Sequence, residues 1–195
     1  GSWFIAREIA DIEALIDAHG GRAALFGASS GAILALYAAA ALPEKVAGLI
    51  AFEPPVIVDD RRAPVPRDLA DRLQQLVDEG RGSDAVREFH RVALGASSIM
   101  IGAMRLMIGP WRTMVAMAQT AVYDTRLCAE LQDGMPLTGD RWSGLRAPSL
   151  VLVGSKSEPF MDSGTRELST LIGARHATIE DAHHATPMMK PAALT

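Results

Sequence analysis

The sequence of 195 residues contains little cysteine, few aromatic side chains and no long apolar run. Its one cysteine, Cys128, excludes an internal disulfide and is typical of a reducing compartment, so we expect a cytoplasmic protein with a small buried thiol rather than a reactive one. The longest apolar segment, Ala32 to Leu42, is shorter than the roughly 20 residues that span a bilayer. It therefore predicts a buried helix and no membrane partner.

Clusters of basic side chains and of metal ligands are also lacking. The formal net charge is -4, and no group of Lys and Arg residues offers a surface for phosphates, which argues against a nucleic-acid partner. No metal-ligand spacing and no phosphate-binding loop is present, so we expect no cofactor and no metal. The remaining partner class is a small molecule.

A glycine-flanked serine motif stands at the centre of the sequence pattern. The residues Gly27-Ala28-Ser29-Ser30-Gly31 separate the apolar run Ala23–Phe26 from a segment rich in Ala and Leu. A strand that turns directly into a helix strains the middle residue, and the glycines remove side chains that would collide there. The pattern predicts a nucleophile elbow with Ser29 exposed at a helix N-terminus; the simpler alternative is a tight turn without catalytic function.

The first quarter of the chain alternates helical and strand patterns. Residues 5–19 have apolar side chains at helical spacing and are followed by two glycines. The apolar runs that come later in the chain are short and continuous. Apolar strands joined by helices are typical of a parallel sheet covered on both faces. The predicted elements are a helix Ile5–His19, a strand Ala23–Phe26, a helix Gly31–Leu42 and a strand Val46–Phe52.

Residues 58–145 form a predicted helical insertion. Helical periods occur over Leu69–Val77 and Val86–Val92, and a methionine-rich region follows at 99–123, with a break expected at Gly109-Pro110. Methionines at helical spacing are commonly adaptable core residues. A helical insertion between sheet strands is also where a cap over an apolar substrate pocket would lie.

The strand and helix pattern resumes after Pro148, so residues 1–57 and 146–195 together form the predicted α/β core. A strand at Ser149–Val153 precedes a helix that Asp162 or Ser163 can cap and that Gly173 ends. A shorter and more polar strand, Arg175–Ile179, leads to two adjacent histidines.

The order of these motifs resembles the central and C-terminal parts of an α/β-hydrolase. The resemblance covers nearly the whole sequence and implies a mostly parallel sheet with helices on both faces, a helical cap and a chain that lacks the first strands of the fold. A sheet without those strands exposes an edge, so we expect dimerisation, strand exchange or poor solubility. The features that carry the resemblance are the elbow Gly27–Gly31, the strand Val46–Phe52 with Glu53-Pro54-Pro55, the insertion, the strand ending at Gly154, and His184 before Pro191.

In this family the catalytic residues follow the order nucleophile, acid, histidine, and the resemblance implies Ser29 and His184 for the first and last. The family's terminal pattern, G-x-G-H-x-x-x-x-x-x-P, aligns its histidine with His184 when counted back from Pro191. His183 then occupies a position where a small residue is usual. The other histidines lie in or beside periodic segments and are expected to have surface or packing roles: His19, His90 and His176.

The acid departs from the commonest family pattern. Most relatives have an aspartate three residues after the glycine that ends the penultimate strand, where this chain has Ser157; Glu158 follows one position later. A smaller group, similar to the haloalkane dehalogenases in this detail, has the acid directly after the strand that follows the elbow helix, and Glu53 matches it. We prefer Glu53; Glu158 and a purely structural Glu53 stay open as alternatives.

The resemblance implies a serine hydrolase that cleaves an ester, lactone or thioester of a small apolar substrate through an acyl-enzyme on Ser29. The backbone N–H of Ser30 is the expected oxyanion donor, and a second donor would precede the first residue. Serine at position 29 argues against dehalogenation. Cofactor-free acyl transfer or peroxidation with the same residues, and a non-catalytic or incomplete small-molecule-binding protein, are the alternatives.

Overall fold

The structure, a computed structural model, describes residues 2–191 and contains one parallel sheet in the order β1-β2-β3-β4. The strands β2 and β4 have the predicted bounds, and β1 and β3 extend slightly beyond theirs. Because all four strands are parallel, their carboxyl ends lie at the same edge of the sheet. The strands are β1 (Ala23–Ala28), β2 (Val46–Phe52), β3 (Ser149–Gly154) and β4 (Arg175–Ile179).

The chain divides into two compact units. One contains the sheet and combines the chain up to Pro64 with the chain from Glu130 onward; the other is Val65–Ala129. The predicted insertion, 58–145, includes this helical unit and extends beyond it at both ends, and its role as a cap stays a prediction. The helices of the described residues are α1 (Ser2–Ala18), α2 (Ser30–Ala41), α3 (Leu69–Asp78), α4 (Gly82–Val92), α5 (Ser98–Leu106), α6 (Ile108–Ala116), α7 (Ala118–Cys128), α8 (Pro159–Ile172) and α9 (Thr186–Met189).

The sheet is most deeply buried towards its carboxyl edge. Consecutive residues of β2 and β3 are buried there, as the apolar runs predicted: Ala51, Phe52, Val151, Leu152 and Val153. One position before Ala51, Ile50 and its β1 partner Phe26 are 38% and 53% exposed. The sheet face that carries these two side chains is therefore partly open to solvent at β1 and β2.

The predicted apolar helix is α2, which packs against both β1 and β2. Two of its large side chains, Ile33 and Leu36, are fully buried, and so or nearly so are four of its alanines: Ala32, Ala35, Ala38 and Ala39. This burial explains why a segment so apolar belongs to a globular core. No helix in residues 2–191 has both the length and the apolar character needed to cross a membrane.

Two predicted local features are wrong. The methionine-rich region breaks at Met107, between α5 and α6, and not at Gly109-Pro110. Pro110 is the third residue of α6, where proline is tolerated because the first N–H groups of a helix have no intrahelical acceptor. Similarly, neither Asp162 nor Ser163 caps α8, since that helix already begins at Pro159, a favourable first position for proline.

Candidate active site

The turn between β1 and α2 has the strained geometry that the serine motif predicted. Ser29 has φ 55° and ψ -129°, a combination that non-glycine residues rarely adopt. Its backbone N–H donates to the Phe52 carbonyl over 2.9 Å, which attaches the turn to the end of β2. A Cβ on Gly27 would collide with the Gly31 carbonyl, so this glycine permits the close approach of strand and helix.

Glu53 begins the loop after β2 and is fully buried. Its backbone also lies in the left-handed region, with φ 46°, and its N–H donates to the Leu152 carbonyl over 2.9 Å. The Oε1 atom of its carboxylate accepts hydrogen bonds from the backbone N–H of Gly154, over 2.7 Å, and from the Ser157 hydroxyl. A buried carboxylate requires such partners, because desolvation without them is costly.

His184 connects the buried carboxylate with the serine of the turn. Its Nδ1 lies 2.8 Å from Oε2 of Glu53, and its Nε2 lies 3.1 Å from Oγ of Ser29. For the neutral ring, these partners favour the tautomer in which Nδ1–H donates to the carboxylate and Nε2 accepts from the hydroxyl. Three residues that are far apart in the chain therefore form one hydrogen-bonded series at the carboxyl edge of the sheet.

The other candidate residues lie outside this series. The Glu158 side chain is 62% exposed and pairs with Arg62 at 3.5 Å, and Asp162 pairs with Arg166 at 2.8 Å. His183 is turned towards its own loop, where its Nδ1 accepts from the Ala185 N–H over 3.2 Å. Of the two adjacent histidines, His184 alone contacts the serine.

The three histidines expected to have surface or packing roles make local contacts. His19 and His90 each bond the carbonyl oxygen four residues earlier, at 2.7 Å from Leu15 and 2.8 Å from Val86. His176 lies 3.0 Å from the Thr165 hydroxyl.

The pKa of Glu53 reflects opposing influences. Burial, the largest, disfavours the charged carboxylate and raises the pKa. The hydrogen bonds from His184, Ser157 and Gly154 favour the anion, and together they hold the pKa below its ordinary value. Glu53 is therefore ionised at neutral pH and can stabilise a positive charge on His184.

The loop after β3 and the loop that carries His184 are held together by their backbones. The N–H of Ser155 donates to the Ile179 carbonyl, and that of Lys156 donates to the Ala182 carbonyl, both over 2.9 Å. A Cβ on Gly154 would collide with the Ala182 carbonyl, so glycine is needed where the loops meet. The end of β3 thereby positions both Glu53 and the histidine loop.

Sequence reasoning missed the two groups that hold the Glu53 carboxylate. In the sequence, Ser157 is distinguished only as a position where most relatives have an acid, and Gly154 only as the end of a strand. The signal that the sequence offered for Ser157 was a hydroxyl donor shortly after the end of β3, the strand that pairs with β2. Among residues 2–191, no group of three or more His, Cys, Asp or Glu side chains could hold a metal ion.

Comparisons with known proteins agree with this architecture. The sequence profile of the Alpha/beta hydrolase family matches residues 2–195. The crystal structure of an alpha/beta hydrolase from Sphaerobacter thermophilus is 38% identical with a TM-score of 0.80, and the match covers 91% of this chain and 67% of that chain. No curated protein gives a significant match.

Two more distant structures share the fold. An enol-lactonase from Burkholderia xenovorans has a TM-score of 0.64 at 20% identity, with 97% of this chain and 69% of that chain covered. A hydrolase from Pseudomonas aeruginosa has the same TM-score and identity, with 97% and 68% covered. At this level of identity, the similarity concerns the arrangement of helices and strands.

Proposed function

The chain belongs to the alpha/beta hydrolase family, and on that premise we propose that it is a serine hydrolase with Ser29 as nucleophile, His184 as base and Glu53 as acid. The observation that carries the proposal is the continuous series from Ser29 Oγ through both nitrogens of His184 to the Glu53 carboxylate. A serine hydroxyl is a weak nucleophile until a base accepts its proton. His184 lies within reach of that proton, and Glu53 is ionised and buried behind it.

In the proposed reaction, Ser29 Oγ attacks the carbonyl carbon of the substrate while His184 Nε2 takes the hydroxyl proton. The carbonyl π electrons move to oxygen, and a tetrahedral intermediate with a negative oxygen forms. The imidazolium then gives its proton to the leaving group as the carbon–oxygen or carbon–sulfur bond breaks, which produces an acyl-enzyme on Ser29. Glu53 stays ionised and stabilises the imidazolium.

Hydrolysis of the acyl-enzyme uses the same residues. A water molecule attacks the acyl carbon as His184 takes its proton, and return of that proton to Ser29 Oγ releases the carboxylic acid. Ser30 is the first residue of α2, so its backbone N–H has no acceptor within the helix. We assign this N–H to stabilise the negative oxygen, and the positive end of the helix dipole supports the assignment.

The proposed substrate is a small apolar ester, lactone or thioester. The supporting feature is the methionine content of the helical unit, where Met100, Met104, Met107, Met114 and Met117 occur within 18 residues of sequence. Methionine side chains adapt to apolar groups of different shape. A series of p-nitrophenyl esters with acyl chains of increasing length tests this, and falling kcat/KM from acetate to longer acyl groups would contradict it.

The decisive experiment measures the intact mass after exposure to a fluorophosphonate, a reagent that phosphonylates activated serines. We expect one adduct on the protein, located at Ser29 by peptide mapping, and none on Ser29→Ala. The matched control is Ser163→Ala, which removes a hydroxyl that donates to the Phe160 carbonyl within α8. That variant should be labelled as fast as the unmodified protein.

Folding of each variant is checked by circular dichroism, so that loss of labelling is not confused with loss of structure. An unlabelled protein, or an adduct that persists in Ser29→Ala, would contradict the proposed nucleophile. A protein labelled at Ser29 that hydrolyses no ester would restrict its chemistry to acyl transfer or related reactions on the same residues.

A further inference from the structure

Ser157 is turned inward from a loop that otherwise faces solvent. It lies between β3 and α8, where its chain neighbours Ser155, Lys156, Glu158 and Pro159 are all exposed, whereas Ser157 is partly buried. Its hydroxyl donates to Oε1 of Glu53. A polar side chain that leaves solvent in an exposed loop gains most when it reaches a buried charge, since hydrogen bonds to ions are the stronger ones.

The two oxygens of the Glu53 carboxylate have separate partners. Oε1 is held by Ser157 and by the Gly154 N–H, and Oε2 faces Nδ1 of His184. The Gly154 bond comes from the backbone and fixes one oxygen at 2.7 Å. Rotation about the Cγ–Cδ bond would move this oxygen, so the Gly154 bond restrains the rotation and the second donor, Ser157, strengthens that restraint. The free lone pair of Oε2 is then directed at the imidazole.

Resting on the proposed function, we propose that Ser157 is a positioning residue of the active site, which holds the Glu53 carboxylate in the orientation that aligns His184 with Ser29. It contacts neither the nucleophile nor the reacting atoms, and it acts through Glu53 alone. The hydroxyl also determines how strongly the carboxylate attracts a proton, because each donor to Oε1 withdraws negative charge from Oε2.

The charged groups around Ser157 have partners of their own. Glu158 pairs with Arg62 at 3.5 Å, and Lys156 pairs with Asp181 at 2.6 Å. Glu180 lies on the histidine loop and accepts from the Ser155 hydroxyl over 3.1 Å. His184 is the ionisable group that directly contacts the carboxylate held by Ser157.

A double-mutant cycle tests the inference, with the rate of Ser29 phosphonylation by a fluorophosphonate as the measured quantity. We expect Ser157→Ala to lower this rate by about 10-fold, the effect of losing a hydrogen bond to a charged group. In the Glu53→Gln background, the same substitution should change the rate by less than about twofold, because no carboxylate remains to be positioned. Ser157→Thr keeps the hydroxyl and should restore most of the rate.

The pH profile of phosphonylation distinguishes a positioning role of Ser157 from a purely structural one, because a structural role would leave the profile at the same pH. The Ser157 hydrogen bond lowers the pKa of Glu53. Its removal makes the carboxylate more basic, so the acidic limb that protonation of Glu53 produces moves to higher pH in Ser157→Ala. The control is Ser155→Ala in the same loop. It removes a hydroxyl that contacts Glu180 and Asp181, and the acidic limb should stay at the same pH.

An equal loss of rate with and without the Glu53 carboxylate would overturn the inference, and so would an unshifted acidic limb in Ser157→Ala. These outcomes differ from a failure of the proposed function. If Ser29 is not labelled in the unmodified protein, the proposed function fails. If Ser29 is labelled and Glu53→Gln reduces the labelling, but Ser157→Ala acts independently of Glu53, the positioning role alone fails.

Discussion

The Glu53 carboxylate accepts a hydrogen bond from the Gly154 N–H over 2.7 Å, although 101 positions separate the two residues in the chain. The contact is possible because β2 and β3 are parallel neighbours whose carboxyl ends lie side by side. One peptide group therefore binds the proposed acid, and the missing side chain of Gly154 leaves room for the loop of the proposed base. The geometry of the whole site depends on this meeting of two strand ends.

Replacement of each candidate carboxylate in turn should show whether Glu53 or Glu158 is the acid. Glu53→Gln keeps the size of the side chain and removes the charge that stabilises the imidazolium. We expect it to slow phosphonylation of Ser29 by about 100-fold or more. Glu158→Gln is the matched comparison, and it should change the rate by less than about twofold because the Glu158 side chain is 62% exposed and lies 3.5 Å from its partner Arg62, outside the series that contains Ser29. The reverse ranking would assign the acid to Glu158.

Addition of a methyl group at Gly154 should damage both stability and site geometry. In Gly154→Ala, the new Cβ meets the Ala182 carbonyl and lies 2.9 Å from the His183 nitrogen, so backbone must move. We expect the free energy of unfolding in urea to fall by about 1–3 kcal/mol, with slower labelling of Ser29. The control is Gly102→Ala in α5, where the added Cβ meets open space and should stabilise the helix by about 0.5–1 kcal/mol. Equal stability of the two variants would show that the strand end tolerates the change.

Acidification should remove a stabilising contribution of Glu53. Its pKa in the folded protein is held below the ordinary value of 4.5, so the unfolded chain takes up the proton at a higher pH than the folded chain. The ionised form therefore contributes stability at pH values above the unfolded pKa, and this contribution is lost as the pH falls through the folded pKa. We expect the difference in unfolding free energy between the unmodified protein and Glu53→Gln to decrease as the pH is lowered below 4.5. Urea titrations at several pH values measure it, and a constant or growing difference would contradict the assigned direction.

The single thiol should be inert in the folded protein. Cys128, at the end of α7, is 4% exposed, and burial followed by the negative charge of Asp124 raises the pKa of the thiol. Because the thiolate is the reactive form, we expect no alkylation by iodoacetamide at about pH 8 and complete alkylation in urea. Intact mass before and after denaturation gives the answer. Rapid alkylation of the native protein would mean that this part of the helical unit opens readily.

Local patterns predicted the strands better than the ends of the helices. The bounds of β2 agree with the structure because its continuous apolar run ends abruptly at polar residues, and the bounds of the more polar β4 agree as well. The start of α8 was misplaced because capping side chains favour a helix start but do not require one, and Pro159 supplies the first turn instead. Met107 is neither glycine nor proline, so no local signal predicts that a helix ends at this residue.

A candidate site residue was predictable where its role depends on residues that are neighbours in the chain. The serine motif identifies Ser29 from five consecutive residues, and its strained backbone is as expected. The choice between Glu53 and Glu158 was open, because both follow an apolar strand and differ only in what lies opposite. The contribution of Ser157 was not predicted, since the position of a serine shortly after a strand does not by itself reveal an inward orientation.

Sequence by itself determined the order of strands and helices, the sharp turn at Ser29 and the burial of α2, because these depend on residues that are neighbours in the chain. The sequence pattern already favoured His184 over His183 and Glu53 over Glu158, but only the tertiary structure brought Ser29, His184 and Glu53 together and decided which groups hold Glu53. The physical reason is that each of these contacts joins residues more than 100 positions apart. Such contacts exist only after parallel strands have brought their carboxyl ends to one edge of the sheet.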